Sequence, residues 1–156
     1  MALRTEERAH VAWTADLKLD HPELDRQHAG LFDLLEAAVA ALESGQAEPL
    51  AVAVAAFSDA MMRHAVSEEA LMEESLYPER GRHRVAHEVF LADLQQLQAE
   101  VATRGASQLA GEWLRVRLPE WLRFHIAMND LPLGRHLAQR PGPPRGQRRS
   151  DSRRTS

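Results

Sequence analysis

Cysteine is absent from the 156-residue chain, which excludes disulfides and thiol chemistry and fits a reducing compartment. Aromatic residues make up only 5% of the chain, with a single tyrosine, and β-branched residues are few, so there is little from which to build a sheet. No stretch approaches the roughly 20 apolar residues of a membrane span, and the opening MALRTEERAHVAWTADLKLD lacks the continuous apolar core of a secretion signal. A cytoplasmic protein with no membrane contact is expected. Net charge is only −4, but it is unevenly spread. The tail PGPPRGQRRSDSRRTS (141–156) holds five arginines and one aspartate, leaving a balance of −8 on residues 1–140. Such a tail cannot bury apolar area and is expected to be disordered, and nucleic acid is not an expected partner of the acidic body.

What the chain has in quantity is alanine, leucine, glutamate and arginine, all helix formers. Four long helices fit between the breakers: Pro22 to Gly45, Glu48 to Ser75, Glu79 to Arg104, and Ser107 to Arg140. The short links favour antiparallel neighbours, so the expected fold is all-α, an up-down-up-down four-helix bundle over residues 1–140. Residues 1–20 form an N-terminal arm, with Trp13 packed on the bundle. Pro119, inside the fourth helix, is expected to kink or split it.

The core stripe of each helix can be read at 4-3-4-3 spacing, and polar residues have entered it. The first helix gives Leu24, His28, Leu31, Leu35, Ala38 and Leu42. The second gives Leu50, Val54, Phe57, Met61, His64, Glu68 and Leu71. The third gives His83, His87, Phe90, Leu94, Leu97 and Val101, and the fourth Leu114, Leu118, Trp121, His125 and Met128. A single histidine in such a stripe is ordinarily a hydrogen-bonded core residue. Five imidazoles and a carboxylate without partners would cost about 1–3 kcal/mol each, in sum comparable to a domain's whole stability. Something must satisfy them together. Antiparallel topology places all six at one end of the bundle, and pairs four apart, His64/Glu68 and His83/His87, share a helix face. The other histidines, His10, His21 and His136, read as surface residues.

A metal site follows, and its chemistry can be narrowed. The stretch HRVAHE lies one residue from the H-E-x-x-H zinc-protease signature, whose glutamate is the general base, but Arg84 stands at that position. One structural zinc takes four ligands, fewer than this cluster offers, whereas two metals fit it. Ferritin-like di-iron bundles use E-x-x-H pairs dominated by glutamate. Here the pairs are H-x-x-x-E and H-x-x-x-H, and an imidazole-rich set disfavours high-valent oxidising states and tilts the reading toward reversible oxygen binding.

Over roughly residues 11 to 137 the chain resembles the bacterial hemerythrins. The matching elements are Trp13, LDRQH ending at His28, HAVSE from His64 to Glu68, LMEESLYP with Tyr77 and Pro78, HRVAH from His83 to His87, and WLRFHIAMND ending at Asp130. The resemblance implies two non-haem iron ions with an oxo or hydroxo bridge that bind O₂ for storage, delivery or sensing, in a non-enzymatic protein. One iron would be held by His83, His87 and His125, the other by His28 and His64, with Glu68 and Asp130 bridging. The second iron would keep an open position, and Trp121, Leu122 and Ile126 would form an apolar O₂ pocket. O₂ and an unidentified protein acceptor of oxygen are the implied partners. The alternative is a di-iron oxidase, peroxidase or nitric-oxide-handling protein on the same scaffold. Asp130 enters the ligand set only through the resemblance: it lies five residues beyond His125, about 140° around a straight helix. The expectation is that Pro132 loosens the helix and lets Asp130 turn inward. Asp25 and Glu69 are candidates for orienting the imidazoles, although for each the plainer reading is a solvated helix-face charge.

Overall fold

The computed structural model describes residues 12–139. The expected disorder of the tail and the place of His10 lie outside the described residues. Helix α1 (Pro22–Ser44) opens on a proline at its first turn and ends at Gly45, whose φ of 69° is the left-handed conformation that closes a helix most easily at glycine. Helices α2 (Ala47–Glu74) and α3 (Arg80–Arg104) follow after short links. The fourth rod is a series of segments: α4 (Gln108–Glu112), a π turn (Trp113–Arg117), α5 (Leu118–His125), a second π turn (Ile126–Asp130) and α6 (Leu131–Ala138). Helix α1 packs on α2, α2 on α3, α4 on α3, and α1 on the fourth rod, which closes a four-helix bundle.

The two π turns have a common cause in the sequence. Leu118 N–H bonds back to the Trp113 carbonyl and Leu131 N–H to the Ile126 carbonyl, five residues away rather than four. The next residue in each case is a proline, Pro119 or Pro132. Proline cannot donate the following helical bond, and its ring crowds the carbonyl four residues back; opening the helix by one residue relieves both problems. The proline effects expected from the sequence thus take the form of two register shifts within a continuous rod.

The apolar stripe packs as read along most of its length. Phe32, Phe57, Phe90, Leu35, Leu94 and Leu114 are among the residues with almost no exposure, each burial contributing about 1.5–3 kcal/mol. Two seam assignments change. On α2, Met72 is buried where Leu71 was expected and is only half-buried. In the fourth rod, Met128 is 54% exposed, because the second π turn delays the inward face by one residue.

The N-terminal arm lies along the fourth rod. Leu17 and Leu19 are buried, Trp13 packs against the core, and Arg123 of α5 donates to Thr14 Oγ1 at 3.1 Å. Leu19 approaches Gly134 so closely that a Cβ there would meet Leu19 atoms at 3.2 Å, which is why a side chain is missing at that point of α6. The Asp25 carboxylate accepts from Leu19 N–H at 2.7 Å, so it fastens the arm, and its charge also helps to raise the His28 pKa. Among the described residues no helix is long and apolar enough to cross a membrane.

Candidate metal centre

Four separate elements carry polar side chains into the end of the core. Helix α1 supplies His28, α2 His64 and Glu68, α3 His83 and His87, and the end of α5 His125. The second π turn supplies Asp130. A π turn uses one residue more than an α turn, so Asp130 falls about where an unbroken helix would have placed residue 129, one turn beyond His125. All seven side chains are buried, none more than 3% exposed. The structure therefore brings together every one of the seven expected residues.

Their donor atoms fall into two groups. His83, His87 and His125 form one with Glu68 and Asp130; His28 and His64 form the other with the same two carboxylates. His125 Nε2 stands 3.1 Å from the Nε2 atoms of both His83 and His87, and His28 Nε2 is 3.2 Å from His64 Nε2. Asp130 divides its oxygens: Oδ1 lies 3.0 Å from His83 Nε2 and 3.1 Å from His125 Nε2, Oδ2 3.0 Å from His28 Nε2. Glu68 Oε2 lies 3.1 Å from His83 and 3.5 Å from His64.

These atoms do not satisfy one another. Both oxygens of Glu68 and of Asp130 lack an aligned hydrogen bond although imidazole nitrogens stand close by. Lone pairs aimed at common points are what a cation requires. The donor set, five imidazoles and two carboxylates in two groups that share the carboxylates, exceeds the four ligands of one structural zinc and fits a pair of cations.

Without metal, protons balance the charge. Burial alone would raise both carboxyl pKa values, and the two carboxylates oppose each other, yet the surrounding histidines hold Glu68 and Asp130 ionised below the usual carboxylate range. Burial presses the His83 pKa down, but the ionised Asp130 and Glu68 carboxylates, 3.0 and 3.1 Å from its Nε2, overcome it and raise it to about 9. His64, where burial dominates, is held down to about 4 and stays neutral. Burial also presses on His28, but Asp130 and Glu68 raise its pKa as well, so metal uptake must displace protons from His83 and His28 while the carboxylates have none to lose. Affinity should rise at least about tenfold per pH unit below about 9 and level off above it, read by proton release during a metal titration. An affinity independent of pH from 7 to 9 would contradict this charge arrangement.

The supporting shell departs from expectation. Gln27 Oε1 stands 2.8 Å from His64 Nδ1, and Gln27 is itself held by Glu23 Oε1 at 3.0 Å and Ser67 Oγ at 3.3 Å. Accepting the Nδ1 proton fixes the tautomer that leaves the Nε2 lone pair facing inward. Asn129 approaches His125 Nδ1 at 3.3 Å. Neither residue was anticipated. Adjacency to His28 hides the role of Gln27, since its partner lies 37 residues away. Of the anticipated pair, Glu69 stands 3.6 Å from His87 Nδ1 and is also paired with Arg84, which reaches across to Glu73 at 2.8 Å. Arg84 is thus a tie between α3 and α2. Gln27→Leu should weaken metal binding on the His28/His64 side by about 10–100-fold and leave the three-histidine side unchanged, as competition with a calibrated chelator would show.

The remaining assignments divide. Leu122 and Ile126 are buried in the main core, while Trp121 is half-buried with its indole stacked on the His125 ring, centroids 4.4 Å apart. His21 is the N-cap of α1, accepting weakly from Leu24 N–H at 3.4 Å. His136, expected at the surface, is half-buried: its Nε2 bonds the Ser75 carbonyl at 3.0 Å and its ring lies against Tyr77, because α6 folds back over the α2–α3 link.

Known proteins resemble this chain. The family described as "Hemerythrin HHE cation binding domain" matches residues 20–135. A bacteriohemerythrin of Stenotrophomonas maltophilia is 30% identical over 122 residues, 78% of each chain, and one of Ralstonia nicotianae is 30% identical over 130 residues, 83% of this chain and 90% of that one. A bacteriohemerythrin of Pseudomonas paraeruginosa is 25% identical over 122 residues. With seven buried His, Glu and Asp side chains gathered as a metal site and a family match spanning the bundle, the chain belongs to the hemerythrin family.

Proposed function

We propose that this chain binds O₂ reversibly at a pair of non-haem iron ions, as an oxygen-binding protein and not as an enzyme. The observation that carries this reading is the unequal division of imidazoles between two groups that share both carboxylates. His83, His87 and His125 would hold one iron, His28 and His64 the other, with Glu68, Asp130 and an oxo or hydroxo group between them. The histidine-poorer side then has one protein donor fewer, which is where a small ligand gains access. When bound, the iron pair supplies reversible electron transfer to and from O₂.

The chain's own residues set the limits on that chemistry. Five neutral imidazoles lend less negative charge than a glutamate-rich set, which favours release of the ligand over its oxidative use. Leu122 and Ile126 present aliphatic surface on the residues flanking His125, and we assign them with Trp121 the exclusion of water from the ligand side. Gln27 keeps His64 in its binding tautomer. The lack of cysteine suits a reducing cytoplasm, where such a protein would hand oxygen to an acceptor.

Metal analysis and optical spectra of the purified protein, reduced without air and then exposed to it, test the reading. Two irons per chain, a colourless reduced form and a visible band that appears in air and fades under vacuum are the expected outcome. One zinc per chain and no visible band would refute it. Irreversible oxidation with turnover of a substrate would favour an oxidase or peroxidase instead.

A further inference from the structure

The seven donor side chains are sealed from solvent, so an ion can neither enter nor leave until part of the fold moves. Three of the surrounding rods are poor candidates for that movement. Helices α1, α2 and α3 run for 23, 28 and 25 residues and bury a continuous apolar stripe in the main core. Helix α6 is the exception. It has eight residues, of which only Leu133 and Gly134 are buried, and it follows directly on the π turn that carries Asp130. Leu133 joins Met72 and Tyr77 in a small buried cluster apart from the main core, with Leu137 packed against both. Among the described residues one hydrogen bond ties α6 to another element, His136 Nε2 donating to the Ser75 carbonyl at 3.0 Å. This cluster caps the two carboxylates that the donor groups share. Met72 lies one helical turn beyond Glu68, and Leu133 three residues beyond Asp130. The α2 side of the cap is fixed, since the Ser75, Leu76 and Tyr77 N–H groups bond back to the Leu71, Glu73 and Met72 carbonyls at 2.9, 3.1 and 2.9 Å.

We propose that α6 is the door through which iron enters and leaves the centre, with Leu133, His136 and Leu137 fastening it against Met72, Ser75 and Tyr77. The inference rests on the di-iron reading above and concerns how that site is filled. Local opening draws on the segments with the fewest buried contacts, so α6 lifts far more readily than the bundle unfolds. Its hinge is the π turn, where the helix is already widened and Pro132 donates no backbone bond. Because Asp130 sits in that hinge, opening withdraws a shared carboxylate from both donor groups at once. The other six donors stay on rods that do not move. Closure returns Asp130 to them, so one movement both admits an ion and completes its ligand set.

The test follows ferrous iron without air, as uptake by the metal-free chain and as release from the loaded chain to excess bipyridine. A looser door raises both rates together and leaves their ratio, the affinity, nearly unchanged. His136→Ala should raise each rate about fivefold and Leu137→Ala about tenfold, with affinity within about twofold of the natural chain. Val101→Ala, in the main core at the other end of the bundle, should leave both rates as they are. Amide hydrogen exchange needs no variant: in the natural metal-free chain, residues 131–138 should exchange at least about tenfold faster than the middles of α1 to α3, and iron should slow them. Weakened affinity with unchanged uptake in both α6 variants, or equal acceleration by Val101→Ala, would overturn the proposal. So would α6 amides as well protected as those of α1 to α3. A natural chain that takes up no iron sinks the parent reading and this one with it, whereas a chain that loads two irons at rates indifferent to α6 sinks only the door.

Discussion

Replacing Asp130 with alanine should strip the chain of both metal ions, not one. Its oxygens divide between the two donor groups, Oδ1 toward His83 and His125 and Oδ2 toward His28, so no other side chain on the fourth rod can stand in for it on either side. Asp130 and Glu68 together raise the His83 pKa against burial. In the metal-free protein its loss removes the partner of several imidazoles, which can respond by shedding protons; that response limits the loss of stability to about 1–3 kcal/mol. Calorimetric melting with and without chelator would separate the two effects. The natural chain should lose a large part of its thermal midpoint on chelation and the variant almost none. Asp130→Asn keeps the shape and removes the charge, and should melt like the natural metal-free chain while binding metal poorly. Retention of both ions by either variant would take Asp130 out of the ligand set.

His64→Ala should instead lose one ion and all oxygen binding. On that side a single imidazole, His28, would remain with the shared carboxylates, whereas His83, His87 and His125 are untouched. The expected product is a chain with one iron and no visible band on exposure to air. Its loss of affinity on that side should exceed the roughly 10–100-fold cost of disturbing a supporting hydrogen bond such as that of Gln27. The His64 pKa is held down to about 4 chiefly by burial, and Glu68 keeps His83 and His87 at 3.1 and 3.3 Å when His64 is removed, so the fold should survive. Metal analysis giving two irons and a reversible band in this variant would remove His64 from the site.

The contrast between Asp130 and the histidines also marks how far the sequence could be read. His28, His64, Glu68, His83, His87 and His125 sit on straight helical stretches, so a 3.6-residue period places each of them inward and antiparallel topology places all of them at one end. The helix limits were legible for the same reason, since Pro22, Gly45 and Gly105 punctuate the chain where the structure does. The period fails where the helix itself changes, at Ile126–Asp130. Extending it there put Met128 in the core and left Asp130 outside, the reverse of what is observed. Gln27 and Asn129 were out of reach because their roles depend on the orientation of rings contributed by another helix or another turn. His136 was misjudged because nothing in its neighbourhood announces that α6 returns over the end of α2.

The inserted residue in the fourth rod has a consequence for anyone who would transplant this centre. A designer copying the seven side chains onto an idealised straight bundle would inherit correct spacings on three rods and a carboxylate aimed off target on the fourth. Residues 126 to 132 would have to travel as a unit, proline included, because the widened turn is what brings Asp130 to its partners. Leu19 and Gly134 set a second condition, since the shifted segment after the turn packs so near the arm that a Cβ would fit only tightly. The smallest portable form of the site is therefore a piece of backbone, and the seven side chains are only its visible part.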